Sequence, residues 1–400
     1  MILGKTIRLK WVVFTIIWFS MLGIAHLAQA STETILHSFT CSATDGCKPQ
    51  GGLILDSEGN LYGTTQGGGA NGGGTVFKLA PSGDLTILHS FACGTTDGCD
   101  PGSGVVLDSK GNLYGTTWQG GADGNGTVFE VSASGTETIL HSFTCGTDGC
   151  SFAGIGGGGL VLDKANNLHG TTFTGGFSPS DCGTVFKLIP SSGKLTTLYS
   201  FSCGLDGGTP VGGIALDKAN NLYGTTSGGG AYSFGTVFKV APSGKETVLH
   251  SFNANGEDGF LPYGGVILDS KNNLYGTTYR GGAIGAGTIF EVTASDTETV
   301  LYSFTCGTKS CEPEEGLAFD KYGNLYGTTQ WGGLYDLGTV FEWASSGVAT
   351  TLHTFADNGR DGYLPPLSAN GPAIDSEGNL YGTTSAGGAN GGGTVFKIVP

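Results

Sequence analysis

Residues 56–65 read Asp-Ser-Glu-Gly-Asn-Leu-Tyr-Gly-Thr-Thr, and this stretch returns with small variations along the chain. Its Leu-(Tyr/His)-Gly-Thr-Thr part begins seven times, at spacings of 52, 55, 54, 52, 51 and 55 residues. Such self-similarity indicates a repeat architecture in which each copy is one supersecondary unit. The copies begin at Leu61, Leu113, Leu168, Leu222, Leu274, Leu325 and Leu380.

Each repeat contains four segments of strand length. In the first copy they are residues 52–56, 61–65, 75–79 and 85–91, which are rich in β-branched or aromatic residues and bounded by turn-forming residues. The 75 glycines argue against long helices, because each interior Gly costs a helix about 1 kcal/mol. We therefore predict an all-β fold, a seven-bladed β-propeller of four-stranded antiparallel blades. An open β-solenoid is the alternative, and it would need capping units that the repeat pattern does not show.

The phase of the repeat predicts how the ring closes. After residue 30 the chain opens on a copy of the fourth segment, Thr34 to Phe39, and it finishes on a copy of the third, Thr394 to Val399. The N-terminal strand should therefore complete the last blade, whose other strands come from residues 371–399. Residues 31–400 are assigned to a single propeller domain.

The first thirty residues differ from the rest. Three basic residues precede an apolar run from Trp11 to about Leu27, and Ala28-Gln29-Ala30 follows. This pattern predicts a secretory signal peptide over residues 1–30. A single-pass membrane anchor is the competing interpretation, although the run is short for a span. We expect a secreted or periplasmic protein with no membrane attachment after cleavage.

Composition excludes several classes of protein. With 38% hydrophobic and only 13% charged residues, the chain is not a charge-driven disordered one. Three of its 18 Lys and Arg lie in the first thirty residues, so the remainder carries 15 against 33 Asp and Glu, a net charge of −18. Phosphate binding needs the opposite balance, so nucleic acid is not an expected partner. We expect a monomer that meets an extracellular glycan or protein.

Two recurring polar positions have structural interpretations. An Asp precedes every turn between the first two segments, where it can accept N–H bonds from its own turn. A second position, in the fourth segment, holds His five times and Tyr twice, which predicts a half-buried amphipathic site rather than a general base. The Asp residues are Asp56, Asp108, Asp163, Asp217, Asp269, Asp320 and Asp375, and the second position holds His37, His89, His141, His250, His353, Tyr199 and Tyr302.

The strand register follows from pairing the second segment with the third. That pairing sets Thr65 against Thr75 and Gly63 opposite Phe77, and the same register sets Gly170 opposite Phe186. A strand Gly covered by a cross-strand aromatic is a packing device. The Gly-Thr-Val-Phe motifs are therefore predicted to be core.

The ten cysteines fall into pairs. Four pairs bracket the loop from the fourth segment of one unit to the first of the next, and the hairpin register sets residue 182 nearly opposite residue 202. Five disulfides are predicted in an oxidising compartment, with zinc as the alternative for the paired Cys. The pairs are Cys41/Cys47, Cys93/Cys99, Cys145/Cys150, Cys306/Cys311 and Cys182/Cys203.

The Leu-Tyr-Gly-Thr-Thr, Gly-Gly, Gly-Thr-Val-Phe and Leu-His-Ser-Phe elements resemble the GloVer tandem repeat of bacterial "choice-of-anchor" exported proteins, over essentially all of residues 31–400. The resemblance implies a bacterial exported repeat protein and carries no established activity. Asp-x-x-Gly-Asn-Leu-Tyr also looks like the inner hairpin of NHL-type and lactonase-type propellers, which is a likeness of fold alone.

Candidate binding residues lie on one face of the predicted propeller, where the loops between the second and third strands meet those between blades. Trp118, Phe173, Tyr279 and Trp331 occupy loops that elsewhere carry Ser, Gly, Ala or Gln, and Arg280 follows Tyr279. Aromatic side chains beside polar groups suit a glycan or a protein. The alternative is that they pack over their own Gly-rich loops.

Enzymatic chemistry would need blade-specific polar residues near the central channel. The place before the invariant Gly of the first segment is Gly or Ser in five units, but Glu315 and Asn370 in the sixth and seventh, and Glu314 adjoins Glu315. A Glu and an Asn can begin a divalent-metal site at the channel mouth. No complete ligand set is visible, so we assign no metal ligand, cofactor or catalytic residue.

Three functions stay open. The first, which we favour, is a noncatalytic exported propeller that binds a glycan or a protein through its loop face. The second is a lyase, lactonase or glycosidase at the channel mouth, which convergence of Arg360 with the polar residues named above would favour. The third is a structural envelope component.

Overall fold

The computed structural model describes residues 31–150, 159–177, 181–366 and 371–400. Within these ranges, seven antiparallel sheets form the blades of a seven-bladed β-propeller; each has four blade strands, and two of the sheets carry a fifth strand. The same ranges contain no helix of the length and apolar character that a membrane span requires. The predicted signal peptide, residues 1–30, lies outside the described residues.

The strands follow the repeat in chain order. The chain begins with β1 (Thr32–Ser38), which belongs to blade 7. Blade 1 contains β2 (Gly46–Pro49), β3 (Ile54–Leu55), β4 (Leu61–Gly68), β5 (Thr75–Leu79) and β6 (Leu85–Ser90). Blade 2 contains β7 (Gly98–Pro101), β8 (Val106–Leu107), β9 (Leu113–Gly120), β10 (Thr127–Val131) and β11 (Glu137–Ser142). Blade 3 contains β12 (Val161–Leu162), β13 (Leu168–Thr172), β14 (Thr184–Ile189) and β15 (Lys194–Ser200), with a 3₁₀ turn at Pro190–Ser192. Blade 4 contains β16 (Ala215–Leu216), β17 (Leu222–Thr226), β18 (Thr236–Val240) and β19 (Glu246–Ser251).

In the last three blades a two-stranded ladder on the loop face accompanies the main sheet. The ladder pairs the loop entering the blade with the chain that follows the second strand, as β2 and β7 do in blades 1 and 2. Blade 5 contains β20 (Gly259–Phe260), β21 (Ile267–Leu268), β22 (Leu274–Thr278), β23 (Arg280–Gly281), β24 (Thr288–Val292) and β25 (Glu298–Ser303). Blade 6 contains β26 (Ser310–Cys311), β27 (Ala318–Phe319), β28 (Leu325–Thr329), β29 (Trp331–Gly332), β30 (Thr339–Trp343) and β31 (Ala349–Thr354). Blade 7 contains β32 (Gly362–Tyr363), β33 (Ala373–Ile374), β34 (Leu380–Thr384), β35 (Ala386–Gly387) and β36 (Thr394–Val399), together with β1.

The ring closes as the repeat phase predicts. β1 pairs antiparallel with β36, so that Thr32 lies opposite Val399 and Ser38 lies opposite Thr394. The sheet order in blade 7 is β1-β36-β34-β33, with the N-terminal strand on the outside. The predicted closure of the last blade by the N-terminal strand is confirmed.

The predicted strand register is also confirmed, and it explains the strand glycines. Gly63 lies opposite Phe77, and Gly170 lies opposite Phe186. A Cβ atom on Gly63 would lie 2.8 Å from the Phe77 ring and 2.8 Å from Leu53. Only Gly lets the aromatic ring cross the second strand at this distance.

Phenylalanine pairs join neighbouring blades. Phe39, which follows β1 in blade 7, packs edge-on against Phe77 in blade 1, and both are fully buried. Equivalent pairs recur at all seven interfaces, with ring centroids 5.0–5.7 Å apart, a geometry that aromatic pairs favour. The other pairs are Phe91–Phe129, Phe143–Phe186, Phe201–Phe238, Phe252–Phe290, Phe304–Phe341 and Phe355–Phe396.

The Asp that precedes each inner turn organises that turn. Asp56 accepts hydrogen bonds from the backbone N–H of Glu58 at 2.9 Å and of Asn60 at 2.8 Å, and from the Tyr62 hydroxyl at 3.0 Å. Burial alone would raise the pKa of Asp56, but the bonds from Asn60 and its neighbours hold it below the ordinary value. Backbone bonds of this kind recur in the other six turns, which favours the structural interpretation of this Asp series.

The first strands pack against one another around the axis. The Thr64 hydroxyl of blade 1 donates to the Ser103 carbonyl of blade 2 at 2.8 Å, and Thr383 of blade 7 donates to Gly51 at 3.4 Å. A Cβ atom on Gly51 would overlap the backbone of Gly104. Gly51 is therefore required in blade 1 by the close approach of the blade 2 backbone, although other blades carry Ser103 or Glu315 at this place.

Candidate functional site

The candidate site on the loop face is formed by blades 5 and 6. In blade 5 the ladder β20–β23 sets Arg280 opposite Phe260, and in blade 6 the ladder β26–β29 sets Trp331 opposite Cys311. Each ladder contains a Gly with positive φ, 95° at Gly281 and 85° at Gly332. Arg280 and Trp331 are thus held on hydrogen-bonded strands at the ends of neighbouring blades.

Two tyrosines and an arginine stack at the blade 5 end of this site. The Tyr263 and Tyr279 rings lie with centroids 5.4 Å apart at an interplanar angle of 37°. The Arg280 guanidinium lies 4.5 Å from the Tyr279 ring centroid, and its Nη2 donates to the Tyr279 hydroxyl at 3.2 Å. Its Nη1 donates to Glu312 Oε1 at 2.6 Å. The ion pair therefore fixes the arginine plane over the aromatic ring.

A buried carboxyl group with a raised pKa, that of Glu314, lies beside the stack. Glu314 is 9% exposed, and its Oε2 is buried with no hydrogen-bond partner among the described residues. Burial, aided by the charge of Glu312 and opposed by Arg280, raises the pKa of Glu314 to about 7. Burial and the nearby Glu314 also raise the pKa of Tyr263. The Glu314 carboxyl is thus a buried polar group that lacks the hydrogen bond such groups ordinarily make.

Glu315 has a different environment. It is 6% exposed, its carboxylate accepts a hydrogen bond from the Thr328 hydroxyl, and its backbone carbonyl accepts one from Thr277 at 3.0 Å. Burial raises the pKa of Glu315 to about 8, although the Thr328 bond opposes the shift. Glu315 is therefore a buried group at the contact between the inner strands of blades 5 and 6.

An open groove of about 600 Å³ lies at the blade 6 end of the site. Trp331 and Glu312 both line it, so Glu312 belongs to the groove and to the Arg280 ion pair at once. Trp331 is 38% exposed and Leu334, also in the lining, is 63% exposed. We call the set Tyr263, Tyr279, Arg280, Glu312, Glu314 and Trp331 the blade 5–6 platform.

The remaining residues predicted for the loop face or the channel mouth lie elsewhere. Trp118 is 8% exposed, and a Cβ atom on Gly102 would overlap its indole ring, so Trp118 packs against the loop that enters blade 2. Phe173 is partly buried in blade 3, two blades from the platform. Arg360 is exposed in the loop between blades 6 and 7, and Asn370 lies outside the described residues.

Other grooves follow the repeat itself. A groove of about 480 Å³ on the opposite face is lined by Asp217, Asn221 and Tyr223. The equivalent residues Asp108 and Asn112 line a similar groove two blades earlier. Because these residues recur in every turn, the grooves they line do not distinguish one blade from another.

Three of the five predicted disulfides are formed, Cys93–Cys99, Cys145–Cys150 and Cys182–Cys203. Cys41 and Cys47 are two unbonded thiols in contact with each other. Burial, and to a smaller extent the contact with Cys41, raises the pKa of Cys47 to about 12. Cys306 and Cys311 make the same arrangement. Bonds in these two pairs stay a prediction.

The half-buried His/Tyr position has a partner that sequence reasoning missed. At five positions the His Nε2 atom lies 3.0–3.2 Å from an Asp in the loop that leaves the blade. The same Asp accepts a backbone N–H, as Asp45 does from Thr40 at 2.9 Å. The available pattern was an Asp seven or eight residues after each His. The pairs are His37–Asp45, His89–Asp97, His141–Asp148, His250–Asp258 and His353–Asp361.

Comparison with known families identifies the repeat. The Gloeobacter/Verrucomicrobia repeat matches residues 24–176, 153–321 and 299–400. The chain belongs to this family. No curated protein matches this Gloeobacter/Verrucomicrobia repeat protein.

Solved structures similar to this Gloeobacter/Verrucomicrobia repeat protein are propellers of low sequence identity. A catalytically inactive virginiamycin B lyase from Staphylococcus aureus with quinupristin is 13% identical, with a TM-score of 0.61 over 92% of this chain and 99% of that one. Oligogalacturonate lyase in complex with manganese is 12% identical, with a TM-score of 0.58 over 93% and 94%. The Vibrio parahaemolyticus oligogalacturonate lyase is 11% identical, with a TM-score of 0.56 over 92% and 93%. These similarities show the fold alone.

Proposed function

We propose that this Gloeobacter/Verrucomicrobia repeat protein is an exported, noncatalytic propeller that binds a glycan through the blade 5–6 platform. The observation that carries the proposal is the Tyr263–Tyr279–Arg280 stack beside the exposed Trp331 groove. Sugar rings present C–H faces that pack on aromatic rings, and their hydroxyls donate to carboxylates. Glu312, which lines the groove, supplies such an acceptor.

The platform is also ordered before binding. The ion pair and the stack immobilise Arg280 and Tyr279, and two strand ladders hold the chain on either side. Preorganised side chains lose less conformational entropy on binding, which raises affinity for a given contact area. The disulfides support export, because such bonds persist in oxidising compartments.

A polysaccharide panel tests the proposal. Binding of the oxidised protein to neutral and uronic-acid polysaccharides is measured by affinity electrophoresis, and the tightest hit is titrated calorimetrically. We expect Trp331→Ala and Tyr279→Ala each to weaken binding at least about tenfold, which is the loss of about 1.4 kcal/mol of contact. Tyr322→Ala is the matched control, because Tyr322 is 73% exposed in a turn on the opposite face. Equal affinities in all four proteins would refute the platform.

One observation favours a second candidate, a propeller enzyme that acts on the glycan. Glu314, with its pKa raised to about 7 and its Oε2 unpartnered, has the properties of a general acid. The polysaccharide hit is incubated with the protein, and new reducing ends or unsaturated products are measured. Turnover that Glu314→Gln abolishes while binding persists would establish this function. Absence of turnover with intact binding would leave the noncatalytic one.

A further inference from the structure

Three interfaces between neighbouring blades each bring one His, one Asp and one Glu together. In each set the potential ligand atoms all lie within 4.8 Å of one another. The His and Asp belong to one blade and its outgoing loop, and the Glu comes from the outer strand of the next blade. The sets are His89–Asp97–Glu137 between blades 1 and 2, His250–Asp258–Glu298 between blades 4 and 5, and His353–Asp361–Glu33 between blades 6 and 7.

In each set the two carboxyl groups lie beside the same His ring. His353 Nε2 lies 3.2 Å from Asp361 Oδ2 and 3.6 Å from Glu33 Oε1. Asp361 and Asp258 are each 6% exposed, and the Oδ1 atom of each is buried without a hydrogen-bond partner among the described residues. Burial, followed by the charge of the adjacent Asp258, raises the pKa of Glu298 to about 7. A buried carboxylate oxygen without a hydrogen-bond partner is costly, so these Oδ1 atoms call for an explanation.

The Glu atoms are equally unpartnered. Oε1 of Glu33, Glu137 and Glu298 is buried with no hydrogen-bond partner in the described part of the chain. Each of these Glu residues belongs to the same cluster as a His and an Asp. In all three clusters, therefore, a Glu with one buried, unpartnered oxygen lies beside a His–Asp pair.

The other blades show that the fold does not need this Glu. Leu85 occupies its place opposite His37–Asp45, and Leu195 occupies it opposite His141–Asp148. Where blades 5 and 6 meet, His, Asp and Glu are all absent, and Tyr302, Lys309 and Ala349 stand in their places. Leu or Ala can occupy this strand position without loss of the strand. The Glu therefore has a role other than strand formation.

We propose that each of the three His–Asp–Glu clusters binds one Zn²⁺ ion, through the His Nε2 atom and one oxygen from each carboxylate, with water as the fourth ligand. Zinc takes nitrogen and oxygen ligands at about 2.0–2.2 Å in tetrahedral geometry, which places neighbouring ligands about 3.4 Å apart. The 3.2 and 3.6 Å separations around His353 fit that spacing. The imidazole favours zinc over calcium, which takes oxygen ligands.

Zinc binding would neutralise the charge of each cluster and release protons to solvent. Two carboxylates and a neutral imidazole carry a charge of about −2, which one Zn²⁺ neutralises. The proton held between the His nitrogen and the Asp oxygen leaves to solvent, and the His keeps its other proton on Nδ1. Because burial raises the pKa of each Glu to about 7, the fraction of Glu carboxyls that is protonated at neutral pH also releases its proton to solvent. Because the ligands come from two blades, each ion would join a blade to its neighbour and stabilise the ring.

Calorimetric titration of the purified, oxidised protein with ZnCl₂ tests the proposal after residual thiols have been blocked with iodoacetamide. We expect three equivalents of zinc to bind, with a rise of several degrees in melting temperature that EDTA reverses. The triple variant Glu33→Leu/Glu137→Leu/Glu298→Leu should bind none, and it introduces the residue that other blades already carry. CaCl₂ should not produce the same shift.

Glu246→Leu is the matched control. Glu246 occupies the same strand position but faces Tyr199 and Asp206 in place of a His–Asp pair, so this variant should still bind three equivalents. If the triple variant fails to fold by circular dichroism, single Glu137→Leu should reduce the count from three to two. Three equivalents of zinc still bound by the triple variant or by Glu137→Leu, or no zinc binding by the original protein, would overturn the proposal. A thiolate-to-metal band with Co²⁺ would also overturn it, because it would place the metal at cysteine.

Discussion

Replacing Glu315 by Gln should make the protein more stable at pH 8 while leaving its stability near pH 4 unchanged. In the unfolded chain this carboxyl ionises near pH 4.5, whereas burial in the folded state raises its pKa to about 8. Between those values the folded state holds a proton that the unfolded state has released, so stability falls as pH rises through that window. At about 1.4 kcal/mol per pKa unit, the loss completed by pH 8 amounts to about 5 kcal/mol. Gln carries no charge, and its carbonyl can still accept the Thr328 bond.

The assay is urea unfolding of both proteins from pH 4 to pH 9, followed by Trp fluorescence. The difference in free energy of unfolding between variant and original protein cancels the other titrating groups, and we expect it to rise from near zero at pH 4 to several kcal/mol at pH 8. Glu257→Gln, at an exposed position, is the control and should show a flat difference. A flat difference for Glu315→Gln, or a variant less stable than the original protein at pH 8, would refute the reasoning.

Three further perturbations test the packing and closure of the ring. Phe77→Ala opens a cavity beside Phe39 between blades 7 and 1 and should cost about 3–5 kcal/mol in urea unfolding; a cost below about 1 kcal/mol would contradict the interface. The double Ser variant at Cys182 and Cys203 should lose about 3 kcal/mol in oxidising buffer and nothing in dithiothreitol; an equal loss in both buffers would show a packing effect instead. Deleting residues 31–39 removes β1 and should abolish cooperative melting, with partial rescue by the same residues added as a peptide; an unchanged calorimetric transition would contradict closure by this strand.

The sequence was sufficient for the fold because its determinants are local and repeated. Turn chemistry around Asp56, the Gly63–Phe77 register and the phase of the repeat each depend on residues close in sequence or on simple counting. Seven copies also average out local exceptions, such as the longer loop before Phe186.

The candidate site was only partly predictable. Trp118 directly follows its Leu-Tyr-Gly-Thr-Thr motif and is buried against Gly102, whereas Trp331 lies one residue further along its repeat and is exposed, because successive strand residues face opposite sides. Arg280 and Glu312 are 32 residues apart and meet only where neighbouring blades join. The His89 cluster likewise takes its Glu from another blade. Contacts between repeats depend on how blades pack, and no pattern within a single repeat encodes them.

The pairing of β1 with β36 makes folding of the ring depend on the order in which the strands are synthesised. β1 has to wait until β36 is synthesised, since Thr32 meets Val399. Until then β1 lacks its neighbouring strand in blade 7, and the Phe39 and Phe396 interfaces cannot both form. Synthesis of β36 thereby becomes a checkpoint: a product cut short before β36 retains an open strand edge and two uncovered aromatic surfaces, which quality-control proteases and chaperones recognise.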